Sequence, residues 1–248
     1  MNDLTVIIAA VVGFAITLFS GYFVIPYLRK LKFGQTIFEE GPNWHKSKQG
    51  TPTMGGIMII LGFLVAVLFA IAYAFINKES ALYIEFADRQ KFITAVSGIL
   101  MALCMGAMGF VDDYIKVVKK RNLGLTARQK TFLQLLIAAL YLVALRVGGM
   151  TTTTMPFIGD INITSGFGLL FWPIALCFIY GFTNAVNLTD GIDGLASSVT
   201  LVVACGFMLA SSYLNFVANN VLCCALAGAC VGFVCWNAHP AKVFMGDT

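Results

Sequence analysis

Seven mostly apolar stretches of helix-spanning length run through this chain: Leu4–Tyr27, Met54–Ile76, Phe92–Val111, Thr131–Val147, Phe167–Ala185, Leu195–Leu214 and Asn219–Trp236. A helix needs about 20 predominantly apolar residues to cross the hydrocarbon core of a bilayer. The fourth stretch is short and holds Gln134; the second is the cleanest. Hydrophobic residues make up 59% of the 248, and charged residues only 11%. A soluble domain carries roughly twice that charged share. The fold class is therefore an all-α polytopic membrane protein with little soluble mass.

The loops fix the expected orientation. With Met1 outside, the inner segments are Leu28–Thr53, Asp112–Lys130, Val186–Gly194 and Asn237–Thr248. Twelve of the 16 Lys and Arg residues lie in them. Only Lys78, Arg89, Lys91 and Arg146 lie elsewhere. The bias of Lys and Arg toward cytoplasmic loops then puts the N-terminus outside. The outer stretch Thr151–Thr164, Thr-rich with Pro156, Gly159 and Asp160, reads as a short periplasmic β-hairpin or irregular cap. Met1–Thr5 has no basic lead and no small-residue cleavage site follows the first apolar run, so that run stays as a helix. The seven cysteines all lie in apolar segments without metal-ligand spacing, and they read as small buried hydrophobes.

Polar residues cluster at the inner ends of the spans. Asp112 and Asp113, in Gly109–Tyr114, repel one another beside a membrane unless a cation or a proton is shared. They are either a solvated helix end or a metal or base site. Lys116, Lys119 and Lys120 follow on one helical face, then Arg121, Arg128 and Lys130. That run serves inside-positive anchoring, phosphate attraction, or both. In Asn184–Leu195, Asn187, Asp190 and Asp193 recur every three residues. Gly191 and Gly194 allow a sharp turn. These side chains offer the oxygen ligands that a hard cation prefers. Asn237–Thr248 ends the chain with Asp247 after Gly246, and His239 beside Pro240 is either structural or a proton shuttle. Trp44–Gly56 carries His45, Lys46, Lys48, Pro52 and the Gly55–Gly56 pair, which permits tight packing at the start of the second span.

Five inner-face acids (Asp112, Asp113, Asp190, Asp193 and Asp247) thus share four loops with a ring of cations. Phosphoryl transfer uses such a mixture. Acids hold a metal or act as base, and cations neutralise charge in the transition state. Neither a P-loop nor a Rossmann fingerprint is present.

At these residues the chain resembles the polyprenyl-phosphate N-acetylhexosamine-1-phosphate transferases. The matching runs are Gly50–Gly56, Gly109–Tyr114, Asn184–Leu195 and Val243–Thr248, in the family's order. The wording of Thr51–Gly56 and Asn237–Thr248 favours the muramoyl-pentapeptide branch. The resemblance implies that UDP-MurNAc-pentapeptide and undecaprenyl phosphate give undecaprenyl-diphospho-MurNAc-pentapeptide and UMP, with Mg²⁺, at the inner face of the bacterial cytoplasmic membrane. It implies catalytic roles for Asp112, Asp113 and Asp247, one of the adjacent pair deprotonating the lipid phosphate. It makes Asp247 a metal ligand and Asn187 an amide-oxygen ligand. Lys48, Lys116 and Lys120 match basic positions around the phosphates. Asn187, Asp190 and Asp193 line the nucleotide-sugar site, with Asp193 reading uracil. Thr53, Gly191, Asn237 and Phe244 complete the substrate-binding set. Direct attack is favoured over a covalent intermediate on Asp247, because a metal-bound carboxylate is a dulled nucleophile. The partners implied are undecaprenyl phosphate, UDP-MurNAc-pentapeptide and the lipid bilayer, with a homodimer allowed and no nucleic acid.

The family has ten spanning helices. Residues 1–248 therefore read as a single transmembrane transferase domain, a portion of a longer product, without the family's C-terminal helices and His-His-His inner loop. The same residues allow two other readings. A sister enzyme would transfer GlcNAc-1-phosphate through the same acids. A cation or proton transporter would place acids and helix breaks near mid-bilayer, whereas the mid-helix positions here are almost free of charge.

Overall fold

A computed structural model describes residues 4–30, 50–118, 124–155 and 157–248. Among the described residues, seven helices are long and apolar enough to cross a membrane, as the sequence predicts. They are α1 (Leu4–Lys30), α2 (Gly56–Ile76), α4 (Arg89–Val118), α5 (Ala127–Val147), α6 (Phe171–Thr189), α7 (Leu195–Tyr213) and α8 (Val217–Asn237). A short helix, α3 (Ala81–Phe86), joins α2 to α4. The predicted hairpin is present as β1 (Thr152–Met155) and β2 (Gly159–Asn162), antiparallel with Thr152 opposite Asn162 and Met155 opposite Gly159.

The most buried span is α8, which packs on α1, α2 and α7. Small residues let the backbones meet, as in other membrane bundles. A Cβ at Gly13 would lie 2.7 Å from the Ala225 carbonyl oxygen, and one at Gly232 would lie 2.7 Å from that of Phe14. The second group is looser, with α4 against α5 and α5 against α6. α6 buries none of its side chains and keeps Phe178 and Phe182 exposed, as a lipid-facing helix should.

Local chemistry sets the ends. Thr126 and Gln129 form a reciprocal capping box that starts α5. Glu85, buried on α3, accepts the Val217 and Ala218 N–H groups at 2.6 and 3.2 Å and so caps α8 from another element. Trp172 Nε1 donates to the Ile163 carbonyl at 2.9 Å, tying the hairpin to α6. One boundary differs instructively from the sequence expectation. The third span continues past Val111 to Val118, so Asp112, Asp113 and Lys116 ride on the last helical turns rather than in a loop.

Candidate active site

On those last turns of α4, Asp112, Asp113 and Lys116 project from neighbouring positions of one helix. Lys116 Nζ lies 2.6 Å from Asp112 Oδ2 and 3.5 Å from Asp113 Oδ1. Both aspartates are nearly inaccessible, at 3% and 4% exposure. Asp112 Oδ1 also accepts the Leu125 N–H at 2.7 Å, which draws the start of α5 toward the acids.

The third acid arrives from the far end of the chain. After α8 the segment 238–248 runs back across the starts of α2 and the end of α4. It is pinned by backbone bonds to the Pro52–Gly56 turn: Phe244 N to Pro52 O at 2.9 Å, Gly55 N to Phe244 O at 2.8 Å, and Gly56 N to Met245 O at 2.9 Å. At its end the Thr248 N–H and hydroxyl both donate to Asp113 Oδ2, at 3.1 and 2.9 Å. Glycine is needed twice in this crossing. Gly246 has φ +81°, and its Cβ would sit 2.5 Å from Asp113 Oδ2. A Cβ at Gly109 on α4 would overlap the Asp247 carbonyl oxygen.

This crossing puts Asp247 beside the α4 pair. Its Oδ2 forms an ion pair with Lys116 and lies 3.5 Å from Lys130 Nζ, while its Oδ1 accepts the Asn187 amide N–H at 2.5 Å. Burial alone would raise the Asp247 pKa. Hydrogen bonding with Asp112, Lys116 and Asn187, together with the Lys116 charge, outweighs it and holds the carboxyl well below the usual carboxylate range. Asp112, Asp113 and Asp247 each offer a carboxylate oxygen within 4.8 Å of the others, enough to hold a metal ion. Oxygen donors of this kind suit Mg²⁺. The Lys116 ammonium sits among them and neutralises part of their charge.

Residues 95–248 match the model of glycosyl transferase family 4, and residues 48–60 match signature 1 of phospho-N-acetylmuramoyl-pentapeptide-transferase. The phospho-N-acetylmuramoyl-pentapeptide-transferase of Halalkalibacterium halodurans is 39% identical over 249 residues, covering 100% of this chain and 71% of the relative. That of Heliobacterium modesticaldum is 43% identical over 242 residues, covering 97% and 69%. That of Listeria monocytogenes serotype 4b (strain CLIP80459) is 40% identical over 240 residues, covering 96% and 68%.

The chain belongs to glycosyl transferase family 4, in its phospho-N-acetylmuramoyl-pentapeptide-transferase branch.

The family 4 match begins within α4 and includes all three acids, and the branch signature covers the turn that receives segment 243–248. Family 4 membership and the spans together make this a multi-pass membrane protein of the bacterial kind.

Of the residues predicted from sequence, Asp112, Asp113, Lys116, Asn187 and Asp247 meet at one centre. Asn187 presents its amide nitrogen, not its oxygen, to Asp247. Asp190 ends α6 and Gly191 follows it, exposed, in the turn toward α7. Asp193 pairs with His239 and accepts the Ala241 N–H. Asn237 is 1% exposed and fully engaged. It accepts from Gly194 N at 3.0 Å and Ser197 Oγ at 3.2 Å, and it donates to the Val243 carbonyl at 2.9 Å. Thr53 and Phe244 are half-buried in the turn and in the segment crossing it. Lys48 and Lys120 lie outside the described residues. Sequence reasoning named Lys130 only as one member of the basic run after α4, and it gave Thr248 no role of its own. The capping box at Thr126 and Gln129 was the available signal for Lys130, since it sets a helix start that puts Lys130 in the first turn.

Proposed function

We propose that this chain transfers phospho-MurNAc-pentapeptide from UDP-MurNAc-pentapeptide to undecaprenyl phosphate, releasing UMP. The observation that carries the reading is the meeting of Asp112, Asp113 and Asp247 with Lys116 and Lys130 at one end of the spans. The distribution of Lys and Arg supports placing that end at the cytoplasmic face, with the N-terminus outside. Residues 1–248 then belong to a single transmembrane transferase domain.

The chemistry follows from the site. An oxygen of the lipid phosphate attacks the sugar-linked phosphorus, a new diphosphate bond forms, and the bond to UMP breaks. Asp113 takes the proton from the lipid phosphate. Asp112 is committed on both oxygens, to Leu125 N and to Lys116, whereas among the described residues Asp113 Oδ1 has only the 3.5 Å contact to Lys116. Asp112, Asp113 and Asp247 would hold Mg²⁺, which supplies charge neutralisation for the diphosphate when bound. Asn187 keeps Asp247 turned toward the centre. Lys116 and Lys130 stand beside the acids, where displaced from the carboxylates they bind phosphate oxygens. No covalent step on Asp247 is required, since its two oxygens are already engaged by Asn187 and the two lysines.

The test offers purified protein undecaprenyl phosphate, Mg²⁺ and either UDP-MurNAc-pentapeptide or UDP-GlcNAc, and measures UMP. Release with UDP-MurNAc-pentapeptide is expected. Release only with UDP-GlcNAc assigns the sister reaction, and release with neither reopens the transporter reading.

A further inference from the structure

Gln134 lies inside the span α5, and the transfer scheme gives it no part. It is 1% exposed. Its Oε1 accepts the Asn184 amide N–H, from α6, at 3.1 Å. Asn184 Nδ2 also donates to the Tyr180 carbonyl at 2.8 Å. A carbonyl can only accept, so the nitrogen of the Asn184 amide is the atom that faces Gln134. Beside this link, Thr131 Oγ1 and the Tyr180 hydroxyl lie 3.3 Å apart. A buried amide is costly without a partner, and polar side chains of this kind join helices within a membrane. The link therefore sets how α6 is rotated against α5.

Its position gives that rotation a consequence. Lys130 and Gln134 are four apart on α5, and Asn184 and Asn187 are three apart on α6, so each pair shares one face of its helix. Lys130 Nζ lies 3.5 Å from Asp247 Oδ2, and Asn187 donates to Asp247 Oδ1 at 2.5 Å. Asp247 is thus held by one residue from each helix, about one turn from the point where the two helices are tied. α6 has α5 as its main packing partner and buries none of its own side chains among the described residues. Little besides the polar link resists its turning about its axis, and such a turn would carry Asn187 off Asp247.

We propose that Gln134, through Asn184, is a positioning residue that holds Asn187 and Lys130 on Asp247. The proposal rests on the transfer reading above and adds to it a residue that touches no substrate.

The experiment measures UMP release from UDP-MurNAc-pentapeptide together with thermal unfolding. Gln134→Met, close in shape and unable to accept the bond, is expected to lower kcat about 10- to 100-fold, the scale of misplacing a group by on the order of 1 Å. Asn187→Ala removes the amide that the link places. In that background Gln134→Met should lower kcat further by less than about twofold, because coupled residues are not additive. Gln134→Met/Asn184→Leu leaves no unpaired amide. It should unfold close to the wild-type temperature and still show the loss of kcat, so it carries the test if the single variant folds poorly. Wild-type kcat in the paired variant overturns the proposal, since the link would then be packing alone. Full multiplication of the Gln134→Met and Asn187→Ala losses overturns it as well. Amide hydrogen exchange over residues 184–189 reads the link without turnover. Gln134→Met should speed it, and unchanged exchange also overturns the proposal. A wild type that releases no UMP removes the transfer reading instead, and the exchange result still decides the link.

Discussion

Lys116 and Asp247 lie 131 positions apart and form an ion pair that joins the end of α4 to the last residues of the chain. The same ammonium also contacts Asp112 and Asp113, so one lysine neutralises an acid cluster drawn from two distant segments. A charge left unpaired in such surroundings is costly. The pair therefore does two things at once. It allows three carboxylates to be held together, and in the proposed reaction it marks where the cation and the diphosphate would sit.

The acids are expected to be indispensable to turnover and dispensable to the fold. Asp113→Asn and Asp247→Asn should each lower kcat for UMP release by at least about 10³-fold, the scale of losing an essential base or a metal ligand. Size-exclusion elution and thermal unfolding should stay close to wild type, because an amide can still accept most of the same hydrogen bonds. Near-normal rates in both variants would show that the chemistry lies elsewhere.

Gly109→Ala separates helix propensity from site geometry. Alanine favours a helix over glycine by about 1 kcal/mol, so an isolated α4 would gain. Here the new Cβ overlaps the Asp247 carbonyl oxygen and must push the terminal segment away. Overpacking of this kind costs about 1–3 kcal/mol. The expected result is a strong loss of kcat with a small fall in unfolding temperature. An unchanged kcat would mean that the segment bearing Asp247 tolerates displacement.

Glu85 offers the opposite test, at the other end of the spans. Its carboxylate caps two N–H groups at the start of α8, the most buried span. Glu85→Ala should lower stability by about 2 kcal/mol, the scale of hydrogen bonds to a charged group reinforced by the helix dipole. Thermal unfolding in detergent reads this as a drop of a few degrees, with kcat retained. No shift in unfolding temperature would mean that water caps α8 equally well.

Much of this protein was legible without coordinates. Long apolar runs can satisfy their backbone in lipid only as helices, so seven spans and their order follow from residue type. The Thr-rich stretch Thr151–Thr164 announced the hairpin. The acids at Asp112, Asp113 and Asp247 stood out because carboxylates are expensive beside a membrane. Other features were silent in sequence. Nothing local to Glu85 says that it caps a helix beginning at Val217. Asn237 has the composition of a ligand, yet its burial makes it a fastener between Gly194, Ser197 and Val243. Asp193 shares the three-residue spacing of Asn187 and Asp190, but the turn after α6 breaks that stripe and delivers its carboxylate to His239.

What the sequence by itself determined was the class of molecule, the number and order of its spans and the kinds of group available for chemistry. These depend on the free energy of each residue in lipid, in water or at a helix terminus, and that is a local property. What only the tertiary structure decided was which acid meets which cation. The acid centre exists because segment 238–248 crosses the Pro52–Gly56 turn and the end of α4, where Gly109 and Gly246 leave room for its backbone. Close approach of chains distant in sequence is a property of packing, and no single residue carries it.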